Sequence, residues 1–352
     1  MDMTQKTGPV PDAVCAVSII IKALNEEPNI TAAIESALRA VELVGGEVIL
    51  ADSCSTDRTV ALAAQFPIRI VQLSIPGERC CGIGPQLGYQ HSLGEFVYIL
   101  DGDMQLVARF LPEALAFMRK HPDAASVGGR VIETNMESLE YVARRDRASQ
   151  HMNSGLVDRL DGGGLYRRTA IEEVGYLSNR NLHSYEEFDL ATRLRAKGWK
   201  LWRLPVDAVT HHGHDTPPYQ LLVRRWRNNY LSGIGELVRA AWGTPHITLT
   251  LKGLRELRIY AVVLVWWMLL LGVHFTSLPG ITAALASCVF LVTPIFLMTL
   301  RKKSLSKAVF SVVSWCFCTA GLLRGLGHRQ RSPDGLISST VIRDAVGIIK
   351  KN

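Results

Sequence analysis

Asp101-Gly-Asp103 follows a buried apolar run over residues 96–100. Two carboxylates one residue apart at such a place can hold Mg2+ or Mn2+, with diphosphate oxygens supplying further hard ligands. Asp-Gly is also a common turn pair, so the pattern gains weight only from its neighbours. Asn25-Glu26-Glu27 ends a first strand-like run, and Asp52-Ser53 ends a second. Three acidic strand ends on one edge make a site for a metal and a phosphorylated ligand. Glu186-Glu187 adds another acidic pair, although Ser184-Tyr-Glu-Glu187 also fits a capping box with Ser184 at the N-cap and Glu187 at N3. Gly162 to Gly164 let backbone approach a ligand closely or permit a tight turn, and Gly163 is the candidate among them.

The elements that must position these groups alternate in type. Residues 14–21 are apolar and β-branched, Ile30–Val44 has helical periodicity, and residues 47–52 are a second buried run. Residues 57–64, Arg69–Leu73, a Gly-rich passage through Gly88 and residues 96–100 continue the alternation. The expectation is a Rossmann-like, mainly parallel α/β sheet with ligands beyond the carboxyl ends of its strands. Helices are expected over residues 109–120 and 138–148 and from near Glu186, with a less regular section that includes residues 127–131. Residues 218–239 read as one Arg-rich amphipathic helix leading toward a membrane.

Hydrophobicity and charge are both unevenly placed. Three nearly uncharged stretches, residues 259–275, 278–300 and 308–323, approach the roughly 17–25 residues that span a bilayer. Residues 252–352 hold 13 Lys and Arg against 3 acids, whereas residues 1–251 hold 26 against 29, so the formal charge of +7 is a membrane-flank signal. It argues against nucleic acid as a partner, and neither a phosphate loop nor zinc-finger spacing is present. The seven cysteines show no paired Cys-x-x-Cys motifs and look like reduced cytosolic thiols. Residues 1–13 lack the pattern of a signal peptide, so the large domain is expected in the cytoplasm.

Four segments carry a resemblance in the right order: Val17-Ser-Ile-Ile-Ile-Lys-Ala-Leu-Asn-Glu-Glu27, Asp52-Ser-Cys-Ser-Thr-Asp-Arg-Thr59, Leu100-Asp-Gly-Asp-Met104 and Glu186-Glu-Phe-Asp-Leu190. Together they resemble the motifs of family 2 glycosyltransferases with the GT-A fold. That resemblance implies an inverting transferase that uses a nucleotide-sugar donor, a UDP-sugar foremost, with Mg2+ or Mn2+ on Asp101 and Asp103. It places Asp52 on the nucleotide, Asn25 and Glu26 along the nucleoside pocket, Asp101 and Gly163 beside the donor, and the catalytic base on Glu187 with Glu186 next to it. Asp52-Ser-x-Ser-Thr-Asp also suits an Asx-turn or helix cap. Ala51 stands where such proteins more usually carry a further acid, and Pro85-Gln86 where an Arg-Asn pair is usual.

Processive synthases of the family carry Gln-x-x-Arg-Trp before the membrane; here Leu222 takes the Gln position, while Arg225 and Trp226 remain to grip the diphosphate or anchor at the interface. His211, His212 and His214 precede that helix, and His212 is taken as the candidate third metal ligand. The expected organisation is an N-terminal tail (1–13), a catalytic domain (14–240), an interfacial linker (241–258), a membrane region of two or three spans (259–323) and a basic tail (324–352). Arg255, Arg258 and Arg301-Lys-Lys303 flank the first two stretches as a hairpin with both ends inside, whereas a third span would export the basic tail. The acceptor implied is a lipid-linked or saccharide hydroxyl at the cytoplasmic membrane face. A polyprenyl-phosphate sugar synthase and a catalytically silent sugar-nucleotide-binding subunit are the rivals.

Overall fold

The computed structural model describes residues 15–134, 152–211, 216–275 and 279–344. The helix expected over residues 138–148, together with His212 and His214, lies outside them. In chain order the strands are β1 (Val17–Ala23), β2 (Gly46–Asp52), β3 (Arg69–Leu73), β4 (Phe96–Asp101) and β5 (Met104–Leu106). They continue as β6 (Ala124–Glu133), β7 (Gly155–Val157), β8 (Gly164–Arg167), β9 (Lys200–His211) and β10 (Ser339–Arg343).

All ten join one sheet in the order β10-β3-β2-β1-β4-β8-β6-β9-β5, with β7 paired to β9. The expected parallel core is β3-β2-β1-β4. Beyond it β8 runs antiparallel to both β4 and β6, so the whole sheet is mixed rather than mainly parallel. Alternation of side chains explains how β1 is buried on both faces. Ile19 and Ile21 pack with Ile30, Ile34 and Val41 of the helix Ile30–Val44 on one side. Ile20 packs with Ile83 and Leu87 of the helix Ile83–Gln90 on the other.

Register places the polar ends. Lys22 is the parallel partner of Asp101, and Ala23 that of Asp52, so the carboxyl ends of β1, β2 and β4 lie side by side.

The amphipathic stretch expected as one helix is broken. Pro218–Arg227 is α-helical, Tyr230–Ser232 is a 3-10 turn, and Gly233–Ala241 is a second α-helix. Asn229 takes a left-handed conformation (φ 62°) at the break, and Asn228 Oδ1 accepts from the Tyr230 N–H.

Three apolar helices follow: Leu257–Val273, Gly280–Lys302 and Leu305–Gly327. The second and third are each 23 residues long and apolar enough to cross a membrane; the first meets the test together with Ile247–Gly253, from which it is bent by 77°. None of the side chains of Gly280–Lys302 is buried in the chain itself. Leu305–Gly327 instead lies along the Pro218–Arg227 helix, with Tyr219 against Phe310 and Trp226 against Phe317. Its Gly321 and Gly325 press on the backbone carbonyls of Leu231 and Ser232, an approach that any Cβ would block. The segment read as a basic tail then returns to the catalytic domain, where Ser339–Arg343 pairs antiparallel with β3.

Candidate active site

Beyond the carboxyl ends of β1 and β4 opens a cleft of about 620 Å3, lined by Lys22, Glu26, Ser53, Asp101, Asp103 and His183 among others. Lys22 Nζ stands 2.9 Å from Asp101 Oδ1 and 3.0 Å from Glu186 Oε1. Burial opposes the Lys22 charge, but Asp101 and Glu186 outweigh it and hold the ammonium well above the ordinary lysine range. Asp101 is pushed up by burial, with Lys22 pulling down and Asp103 pushing further up. Glu26 rises to about 7, chiefly through burial, with Asp103 and Asp101 adding to it. An acidic cleft that discourages ionisation of its own carboxyls suits a cation there.

Asp103 has as neighbour a histidine that the sequence offered beside His212 and His214. His211 Nε2 lies 3.3 Å from Asp103 Oδ2, while His211 Nδ1 lies 2.7 Å from Glu133 Oε2. Burial works against the imidazolium, but the two carboxylates lift it to about 10. The pairing of β5 with β9 sets Met104 opposite His211 and so brings the ring to Asp103. Among the described residues, His211 is the histidine brought to the acidic pair; His212 lies outside them.

Glu186 and Glu187 begin the helix Glu186–Ala196. The capping box does not form: Tyr185 is the N-cap in a left-handed conformation (φ 68°), and Ser184 Oγ donates to Tyr230 O at 2.8 Å. Both glutamates are thereby free of a capping role. Glu187 Oε1 accepts the Gly163 N–H at 3.3 Å. Burial foremost lifts Glu187 to about 8, Lys22 pulling down and Asp161, Glu186 and Asp101 pushing up.

Asp52 is fully buried, and its Oδ2 accepts from the Ser55 N–H at 2.9 Å and from Gln72 Nε2 at 2.8 Å. Its Oδ1 is buried with no partner. The Asx-turn reading is therefore satisfied by one oxygen only. Asn25 is left-handed (φ 58°) and acts as a latch: its Oδ1 accepts from the Thr56 N–H at 2.7 Å, and its own N–H donates to Ser55 Oγ. Next to this latch lies a cavity of about 400 Å3 lined by Ser55, Thr56, Gln72, Ser74, Arg79 and Thr340. Thr340 belongs to β10, a contribution with no local sequence signal.

Arg225 and Trp226 are not brought to the cleft. Trp226 packs edge-on against Phe317, and Arg225 stacks over Tyr230 at 5.0 Å. Asn228, Asn229 and Tyr230, at the helix break, line the cleft in their place.

A second polar centre lies beside the cleft. His183 Nδ1 is 2.8 Å from Glu236 Oε1, and His328 Nδ1 bonds the same oxygen. Ligand atoms of these three residues fall within 4.8 Å of one another, close enough to hold an ion.

Residues 18–175 match the family described as Glycosyl transferase family 2. The succinoglycan biosynthesis protein ExoO of Rhizobium meliloti (strain 1021) is 33% identical over 137 residues, 39% of this chain and 37% of ExoO. The chain thus spans little more than a third of ExoO in that match. EpsE of Bacillus subtilis (strain 168) is 26% identical over 200 residues, 53% of this chain and 69% of EpsE. The mannosyltransferase PcManGT from Pyrobaculum calidifontis, solved with GDP-Man and Mn2+, is similar in fold, with a TM-score of 0.57 at 17% identity over 91% of each chain. The chain carries a glycosyltransferase family 2 domain, folded as a GT-A sheet whose acidic strand ends face one cleft.

Proposed function

We propose that the chain moves a sugar from a nucleotide diphosphate donor to a hydroxyl of a lipid-linked or saccharide acceptor, inverting the anomeric centre, at the cytoplasmic face of a membrane. Convergence of Lys22, Asp101, Asp103 and Glu186 from three separate elements on one acidic cleft carries this reading. Asp101 and Asp103 offer the hard oxygen donors that Mg2+ or Mn2+ prefers, so the residues fit the cation. When bound, that cation neutralises the departing diphosphate. PcManGT, similar in fold, takes GDP-Man with Mn2+, and ExoO is named for succinoglycan biosynthesis; both accord with a sugar nucleotide donor and a role in polysaccharide assembly.

In this reading Glu187 removes the proton from the acceptor hydroxyl as that oxygen bonds to the anomeric carbon. The bond from that carbon to the diphosphate oxygen breaks on the opposite face, and the nucleotide leaves. The Gly163 N–H orients Glu187 for the task. Lys22 holds Asp101 and Glu186 in place and spreads positive charge beneath the donor. The cavity between the Asn25 latch, Gln72 and Thr340 seats the nucleoside, with Asp52 buttressing its floor through Ser55 and Gln72.

The test uses the full chain in lipid nanodiscs with a panel of radiolabelled nucleotide sugars and extracted membrane lipids. Transfer that needs Mn2+ or Mg2+ and is lost in Asp103→Asn supports the proposal. Transfer unaffected by chelation, or a chain that binds no nucleotide sugar under any cation, would sink it.

A further inference from the structure

Between the catalytic domain and the segment that follows Leu305–Gly327 lies a cavity of about 250 Å3. It adjoins the main cleft, and Gly77, Arg79, Cys80, His183 and Asn229 line both. Arg180, Arg329, Arg331 and His328 complete its basic lining, against two acids, Glu78 and Glu236.

Both acids are already satisfied. Glu78 Oε2 is 2.6 Å from Arg180 Nη2 in a pair that is almost fully buried, and its Oε1 takes Arg331. Glu236 accepts from His183 through both its backbone N–H and its Nδ1, and from His328 Nδ1. Among the described residues the Arg79 guanidinium donates only to the Pro76 carbonyl, through Nε, and Arg329 has no acidic partner. Two guanidinium groups therefore line this cavity with no acidic partner among the described residues. The balance is that of an anion site.

Position narrows the anion. The cavity sits directly after the last residue of Leu305–Gly327, a helix apolar and long enough to cross a membrane, which lies along the amphipathic Pro218–Arg227 helix. We infer that this cavity is an acceptor subsite: it seats the phosphate or diphosphate of a membrane lipid whose sugar hydroxyl reaches into the adjoining cleft. The assignment rests on the transferase reading for the word acceptor, while the anion site stands on the cavity alone. The His183, Glu236 and His328 set is also compact enough for zinc, but the surrounding arginines oppose a second cation there.

Binding is measured by calorimetry on the full chain in nanodiscs, with EDTA present so that the donor cation is absent. Inorganic pyrophosphate and farnesyl diphosphate are the two probes. Both should bind once per chain, farnesyl diphosphate at least tenfold tighter. Arg329→Glu should weaken both at least tenfold, Arg329→Lys should restore most of the loss, and Asp103→Asn should change neither. Unchanged thermal unfolding of Arg329→Glu separates lost binding from lost folding. Equal affinity for the two probes overturns the lipid assignment. Wild-type affinity in Arg329→Glu overturns the subsite, as does stoichiometric zinc binding, measured separately without EDTA, that His328→Ala abolishes. If diphosphate binding follows these expectations while no sugar transfer is found with any donor, the subsite stands and the transferase reading falls.

Discussion

The Gly163 N–H donates to Glu187 Oε1 across 3.3 Å, joining the strand end beside β4 to the first turn of the helix that carries the acidic pair. Gly163 has φ +87°, and a Cβ added there would stand 2.6 Å from the Ile99 carbonyl oxygen. Both facts bar any other residue. Gly163→Ala should lower stability by about 1–3 kcal/mol, the usual cost of a strained backbone position, and should cut transfer at least tenfold by displacing Glu187. Thermal unfolding and steady-state kinetics on the same preparation check the two effects; a variant with both wild-type stability and wild-type turnover contradicts the geometry.

Glu187→Gln keeps the Gly163 hydrogen bond but removes the proton acceptor. Loss of a general base costs roughly 10²–10⁴-fold, so kcat should fall within that range while the donor KM stays within about twofold. Equal losses in donor binding and turnover would assign Glu187 to the donor rather than to the acceptor.

The raised Glu187 pKa also has a sign. Its carboxyl moves from 4.5 to about 8 on folding, so between those values the folded chain keeps a proton that the unfolded chain has lost. Stability must fall as pH rises across that window and level off above it. Glu187→Gln should flatten this slope, read as a smaller drop in midpoint temperature from pH 5 to pH 8. In activity, kcat/KM should climb as pH rises toward 8. Saturating Mn2+ should draw that limb lower, because Asp101 is among the charges that hold the Glu187 proton on.

Some of this was legible in the residues and some was not, for physical reasons. The apolar β-branched run of β1 and the position of Asp101-Gly-Asp103 after β4 are local patterns, and both landed where expected. Lys22 was invisible as a site residue because its role depends on parallel register with β4, not on its neighbours. The sequence could not single out His211 from His212 and His214, because β5, whose pairing with β9 brings that ring to Asp103, is only three residues long and too short to show periodicity. The break at Asn228-Asn229 was missed because Arg-rich amphipathic spacing continues through it, with neither Gly nor Pro to mark it. Ser184 was misread as a cap because its hydroxyl is spent on Tyr230, 46 residues away in sequence.

His211 gives a further test. It bridges Asp103 and Glu133, so His211→Phe leaves two neighbouring carboxylates without their shared partner. The apparent Kd for Mn2+, followed by electron paramagnetic resonance, should rise roughly 10–100-fold, the range seen when a partner that orients a metal ligand is lost. His211→Gln, able to donate one hydrogen bond, should lie between. Unchanged Mn2+ affinity in His211→Phe would remove the histidine from the cation's surroundings.

The antiparallel pairing of β10 with β3 fixes the parity of membrane crossings. Both flanks of the three apolar helices belong to one sheet, so if these helices cross a membrane the expected number of crossings is even. Leu305–Gly327 is contacted by Tyr219, Trp226, Leu231 and Ser232 of the catalytic domain, so the expected crossing pair is Gly280–Lys302 with Leu257–Val273, which meets the length and composition test together with the bent Ile247–Gly253. Trp266 Nε1 donates to the Phe290 carbonyl at 2.9 Å and ties these two helices together. With that pair crossing, Arg258 and Arg301-Lys-Lys303 would share the catalytic side, the arrangement that the bias of basic residues toward the cytoplasm predicts. Cysteine at Phe275, in a background with the seven native cysteines replaced, should react with a membrane-impermeant maleimide from outside intact cells. Cysteine at Ser332 should react only after the membrane is opened. Labelling of the Ser332 position alone in intact cells would place the catalytic side outside, whereas labelling of both positions would break the pairing of crossings that β10 in the catalytic sheet demands.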